Sequence, residues 1–117
     1  MLNSPEASSQ TPAAVRAGAA ERIIAFLRAR YPVKTAENVA ADTGLSPLTI
    51  QTWIDRCTAP NIVGIIALTA AYGPDFLSAC MGEKTPDWLV AAERKKRAAE
   101  LKARRAAIDA ELATIEN

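Results

Sequence analysis

The chain has 117 residues, half of them hydrophobic but few aromatic, a length and composition that fit one small, helix-leaning domain with extensions. Net charge is +1, there is no histidine, and the two cysteines lack CxxC spacing. No metal site follows from these features and they give no support to a disulfide, so two reduced, half-buried thiols are expected.

The amino terminus shows no basic segment followed by an apolar run, so no secretory signal is expected. The longest apolar stretch, residues 62–71, is about half the ~20 residues a membrane span needs. A soluble, cytoplasmic protein is the expectation. Residues 1–20 mix Ser, Pro, Gln, Ala and Gly without hydrophobic period and read as a flexible tail. From Glu21 the pattern turns helical. Ile23, Ile24, Leu27 and Tyr31 form a stripe, Phe26 widens it, and Pro32 ends it. Arg22, Arg28 and Arg30 lie around the remainder.

The stretch Thr35 to Cys57 reads as two short helices joined by a tight turn. Thr35 is expected to cap the first, with Glu37 suited to its positive end. Val39 and Ala40 face inward, and Gly44 permits the left-handed exit. Ser46 then caps the second helix and Pro47 fills its first position. Ile50, Trp53, Ile54 and Cys57 fall at i, i+3, i+4 and i+7, a stripe expected to be buried.

A small residue, a glycine four later, Leu45, a capping serine and Ile50 six after the glycine: this order resembles the helix-turn-helix of the Cro/CI-like (XRE-type) DNA-binding family. The resemblance covers roughly residues 22–81 and extends to small phage-type and mobile-element regulators. It implies an all-α, five-helix domain over 21–82 that binds double-stranded DNA, with the helix 47–57 in the major groove. With Ile50 inward, Leu48, Thr52 and Asp55 run along the centre of the outward face, flanked by Thr49, Gln51 and Arg56. Gln51 suits adenine, Thr49 and Thr52 are lesser donors or acceptors, and Leu48 suits a thymine methyl. Arg56, Lys34, Thr35 and Ser46 are candidates for phosphate. Asp55 is electrostatically adverse unless it accepts from a cytosine amino group.

Charge tempers this picture. Residues 35–82 carry one basic group, Arg56, against Glu37, Asp42, Asp55 and Asp75. The alternative is a protein-interaction module that uses the helix-turn-helix as a scaffold. If DNA is bound, the further phosphate contacts are expected from Lys34, Arg28 and Arg30 just before the motif, from the cluster Arg94 to Arg105, or from a basic partner.

Asn61 is expected to cap a helix over 62–72, in which Ile62, Val63, Ile65, Ile66, Leu68 and Tyr72 cover more than half the circumference. A core helix covered on several sides is favoured over one exposing a partner surface. A short helix over 74–81 turns Phe76, Leu77 and Cys80 or Met81 inward. Thr85-Pro86-Asp87 then starts a helix running to about residue 116, roughly 45 Å long. Trp88 and Leu89 are expected to anchor its start.

Within residues 83–117, Leu101, Ile108 and Ile115 recur every seven residues with Ala98 and Leu112 at companion positions. Arg105 interrupts this seam. Pairing with a second copy or with a helical partner protein is its natural use. The basic run at 94–105 is read first as a solvated face with Glu93–Arg97 and Glu100–Arg104 pairs, and second as a surface for phosphate or an acidic partner. Without histidine, a glycine-rich phosphate loop or a metal-ligand cluster, no enzyme and no cofactor are expected.

Overall fold

The structure, a computed structural model, describes residues 11–116. The described residues form six α-helices and a short 3-10 turn, with no strand among them: α1 Pro12–Arg30, α2 Thr35–Thr43, α3 Pro47–Arg56, α4 Ile62–Tyr72, α5 Pro74–Met81, the turn Gly82–Lys84, and α6 Asp87–Glu116. The chain divides into two compact units, one up to Lys84 and one from Thr85. No helix among the described residues is long and apolar enough to cross a membrane.

The first helix begins earlier than its hydrophobic stripe. Thr11 accepts a hydrogen bond from the Ala14 N–H at 3.1 Å, and Pro12 takes the first helical position. Alanines carry the helix through two turns that bury almost nothing. Half of the expected tail 1–20 is therefore helix; residues 1–10 lie outside the described residues. At the other end the Tyr31 N–H bonds Leu27 O at 2.9 Å before Pro32 breaks the ladder.

The core of the first unit is built from Ile23 and Leu27 of α1, Ala36 and Val39 of α2, Ile50 and Trp53 of α3, Leu68 and Tyr72 of α4, and Phe76 of α5. Phe26 stands edge-on to Tyr72 and Phe76, with centroids 5.7 and 5.9 Å away. Such pairs add about 0.5–1.5 kcal/mol each beyond the area they bury. Leu77 and Cys80 are half-buried, while Met81 is exposed. Burial pushes the Cys80 thiol above its ordinary pKa.

Arg22 fastens α1 to the end of α5. Its Nε donates to Ala79 O at 3.0 Å and its Nη2 to Cys80 O at 2.6 Å. A cation at terminal carbonyls satisfies groups the helix cannot pair internally and suits the helix dipole.

A second polar tie joins α1, α2 and α4. The Asp42 carboxylate accepts from the Tyr31 hydroxyl at 2.6 Å and the Tyr72 hydroxyl at 2.8 Å. Those bonds hold its pKa below the usual carboxylate range, and burial together with the Asp42 bond pushes Tyr72 up. The Arg30 guanidinium sits 4.6 Å from the Tyr72 ring centroid and 5.9 Å from that of Tyr31. Arg30 is thereby committed to aromatic faces, contrary to its expected availability.

Helix α4 is not covered on several sides. Gly64, Leu68 and Tyr72 are buried and Ile65 half-buried, but Ile62, Val63 and Ile66 are 70, 62 and 62% exposed. Asn61 caps the helix as expected, accepting from the Gly64 N–H at 2.9 Å. At Gly64 the α4 backbone comes so close to Pro60 and Trp53 that any side chain there would force a neighbour to shift. One side of α4 is pressed onto the core, and among the described residues of this unit no other element covers the opposite side.

In the second unit α6 is one uninterrupted helix of 30 residues. Leu89 is buried, whereas Trp88, expected to be covered as well, is 67% exposed. From Arg97 onward every described residue is exposed. Glu100 pairs with Lys96 at 4.0 Å, one turn back and not forward to Arg104 as expected; Arg105 and Asp109 approach to 3.9 Å. Exposed i, i+4 pairs of this kind are worth about 0.3–0.5 kcal/mol each.

Candidate nucleic-acid interface

Helices α2 and α3 are joined by residues 44–46. Gly44 takes φ 79°, and its N–H closes on Ala40 O at 2.8 Å. The Thr43 hydroxyl donates to Val39 O at 2.8 Å and accepts from the Leu45 N–H at 3.2 Å, which ties the turn to the helix it leaves. Ser46 precedes Pro47 in extended geometry but makes no side-chain cap bond. Its hydroxyl lies at the surface.

With Ile50 and Trp53 in the core, α3 turns Leu48, Thr49, Gln51, Asp55 and Arg56 to the surface. Leu48 is 76% exposed, high for a leucine with no contact duty in its own fold. Thr52 departs from expectation. It is half-buried, and its hydroxyl donates back to Leu48 O at 2.9 Å, so its proton is spent within the helix. Cys57, expected in the buried stripe, is exposed at the helix end. Its φ of 51° is left-handed, so it no longer follows the 100° step that aligns Ile50 and Trp53.

Gln51 and Asp55 form one unit. The Gln51 amide nitrogen donates to Asp55 Oδ1 at 2.8 Å. An amide NH₂ has two protons, so one remains, along with the amide oxygen. The two groups an adenine edge requires are therefore still available. Asp55 limits the rotation of that amide, a role distinct from the base contact expected of it.

A polar cleft of about 360 Å³ lies beside this face, lined by Arg28, Pro32, Lys34, Thr35, Glu37, Gln51 and Ile54. It brings Lys34, Thr35 and Gln51 together and adds Arg28 from α1. Lys34 precedes α2 in a left-handed conformation, φ 54°. Thr35 is not the cap: it is the first helical residue, and its hydroxyl donates to Tyr31 O at 2.5 Å. The α2 N-terminus has no side-chain cap, and two cations border it. This combination of a helix N-terminus and basic side chains suits an anion, with Glu37 as a local counterweight. Ser46 and Arg56 do not line this cleft.

The sequence suggests separate base contacts for Gln51 and Asp55, although their i, i+4 spacing on a helix announces a pair. In the sequence Arg28 is only a basic neighbour of the motif. Its place in the cleft depends on how α1 crosses α2, for which no local pattern exists. No protein-family model, curated protein or solved structure matches the chain.

Proposed function

We propose that this chain is a sequence-specific DNA-binding regulator of phage or mobile-element type, built on a Cro/CI-like arrangement of α1–α5, that lays α3 in the major groove. The observation that carries the reading is the outward face of α3, where a Gln51 amide oriented by Asp55 stands beside a cleft bordered by Arg28 and Lys34. In this mode the N-terminal half of the second helix meets base edges and the first crosses the backbone. Gln51 takes adenine through its amide oxygen and free amide proton, and Leu48 packs on a thymine methyl. Arg28, Lys34 and the α2 N-terminus hold phosphate. The long α6 serves to assemble the protein with itself or with a helical partner.

Selection of sites from a random duplex library, followed by fluorescence anisotropy, tests this. Gln51→Ala should weaken the selected site by about 1–3 kcal/mol, roughly 5- to 160-fold, and relax preference at one base pair. Asp55→Ala should relax the same position while strengthening non-specific binding, because it frees the amide and removes a negative charge. A chain that selects no site, or selects one that both variants bind unchanged, sinks the proposal.

A second reading has its own support. Residues 35–82 hold one basic against four acidic groups, and α4 exposes Ile62, Val63 and Ile66 side by side. These suit a protein-interaction module that uses the helix-turn-helix as a scaffold. Genome-wide crosslinking together with identification of co-purified proteins separates the two.

A further inference from the structure

The exposed stripe of α6 carries an orientation signal in the charges that flank it. Taking Leu101, Ile108 and Ile115 as the d positions of a heptad places Ala98, Arg105 and Leu112 at a. The g positions are then Arg97, Arg104 and Glu111, and the e positions Lys102, Asp109 and Glu116. All of these residues are exposed and unite in one continuous helix. Residues 94–105 carry seven basic groups and one acidic, whereas 106–116 carry three acidic and none basic.

We propose that α6 pairs with α6 of a second copy in antiparallel orientation, about a two-fold axis between Ala106 and Ala107. This rests on the reading of α6 as an assembly helix and is independent of DNA recognition. In that register Leu101 packs on Leu112 of the second copy, and Ala98 on Ile115. Antiparallel helices set g beside g and e beside e. Arg104 then meets Glu111 of the second copy, Lys102 meets its Asp109, and the symmetry repeats both pairs. Every flanking contact joins opposite charges.

The parallel alternative sets g beside the following e. It places Arg97 against Lys102 and Glu111 against Glu116, with only Arg104 and Asp109 attractive. It also stacks the two Arg105 side chains in one a layer. The antiparallel register separates them along the axis by three residue steps, about 4.5 Å. Each Arg105 additionally keeps its own Asp109, 3.9 Å away. The paired segment, residues 98–115, is about 27 Å long, so the association is modest and helped by low salt.

The test uses the full chain with Cys57→Ser and Cys80→Ser, so that no native thiol competes. Two versions are prepared separately, one with Leu101→Cys and one with Leu112→Cys, and oxidised alone or mixed. The expected result is a mixed disulfide at least tenfold more abundant than either self-disulfide. Self-linkage of the Leu101→Cys chain shows parallel pairing and overturns the orientation while leaving assembly through α6 in place. A monomer by light scattering at every concentration overturns self-pairing altogether, and so does a dimer that survives Leu101→Asp with Ile108→Asp. As a readout away from the seam, spin labels at Lys95→Cys should lie roughly 35 Å apart in the antiparallel dimer, against less than about 20 Å in a parallel one. The short distance would overturn the proposal.

Discussion

Replacing Gly64 with alanine tests the closest approach in the first unit. A Cβ built on Gly64 would stand 2.8 Å from Pro60 Cβ, 3.0 Å from Trp53 Cζ2 and 3.2 Å from Trp53 Cη2. Carbon atoms pack best at about 3.5–4.0 Å, so α4 must move away or Trp53 must turn. Pro60 and Trp53 are both buried, and Trp53 belongs to the core cluster, so neither yields freely. Overpacking of this kind costs about 1–3 kcal/mol, against a helix-propensity gain of at most about 1 kcal/mol. The net loss should be about 1–2 kcal/mol, lowering Tm by roughly 5–15 °C in a domain of this size. Thermal melts followed by circular dichroism measure it, with urea melts checking that m is unchanged. Gly18→Ala is the control: its Cβ would meet only Arg22 Nη1, at 3.2 Å, the end of a side chain. That substitution should be neutral or stabilising by up to about 1 kcal/mol. If Gly64→Ala melts at or above the wild-type temperature, the packing of α3 against the start of α4 has been misjudged.

Asp42→Asn should destabilise by about 1 kcal/mol at pH 7, a small effect because water screens this exposed carboxylate. The hydrogen bonds from Tyr31 and Tyr72 lower its folded pKa, so the stabilisation is present above the ordinary carboxylate range and is lost as pH falls through the lowered value. Urea melts should show the gap between the two proteins closing below about pH 4, and a pH-independent gap would contradict the assignment. Cys57→Gly should raise stability by up to about 1 kcal/mol, since φ 51° is strained for cysteine and easy for glycine; a fall in Tm would count against it. If DNA is bound as proposed, Arg28→Ala and Lys34→Ala should each flatten the logarithmic salt slope of binding by about 0.9. Anisotropy across a salt series would show unchanged slopes if neither side chain reaches phosphate.

Local grammar was legible in the sequence, and spatial relations were not. Gly44, Pro32 and Asn61 act where their chemistry predicts, and Ile50 and Trp53 are buried as their spacing requires. Thr11-Pro12 is the same start signal as Ser46-Pro47. It stands out less because the two turns after it bury nothing and show no hydrophobic period. Apolar content in α4 does not translate into coverage, because a run of isoleucines says nothing about how many sides have neighbours. The tie of Tyr31 and Tyr72 to Asp42, and that of Arg22 to the carbonyls of Ala79 and Cys80, join residues distant in sequence. No spacing rule foretells them. At the candidate site the outward face of α3 was readable, while the cleft required the crossing of α1 over α2.

The uncovered length of α6 has a consequence for how long each molecule lasts. From Arg97 onward every described residue of the helix is exposed, and most helical stability in proteins comes from tertiary packing of an apolar face. Opening of such a segment costs little, and proteases cut in proportion to the open population. A mate on the Leu101–Ile115 stripe would suppress that opening by mass action, so survival would rise with concentration. Scarce molecules would then be cleared faster than abundant ones, giving the protein a turnover rate that depends on its own level, with α6 as the part that is counted.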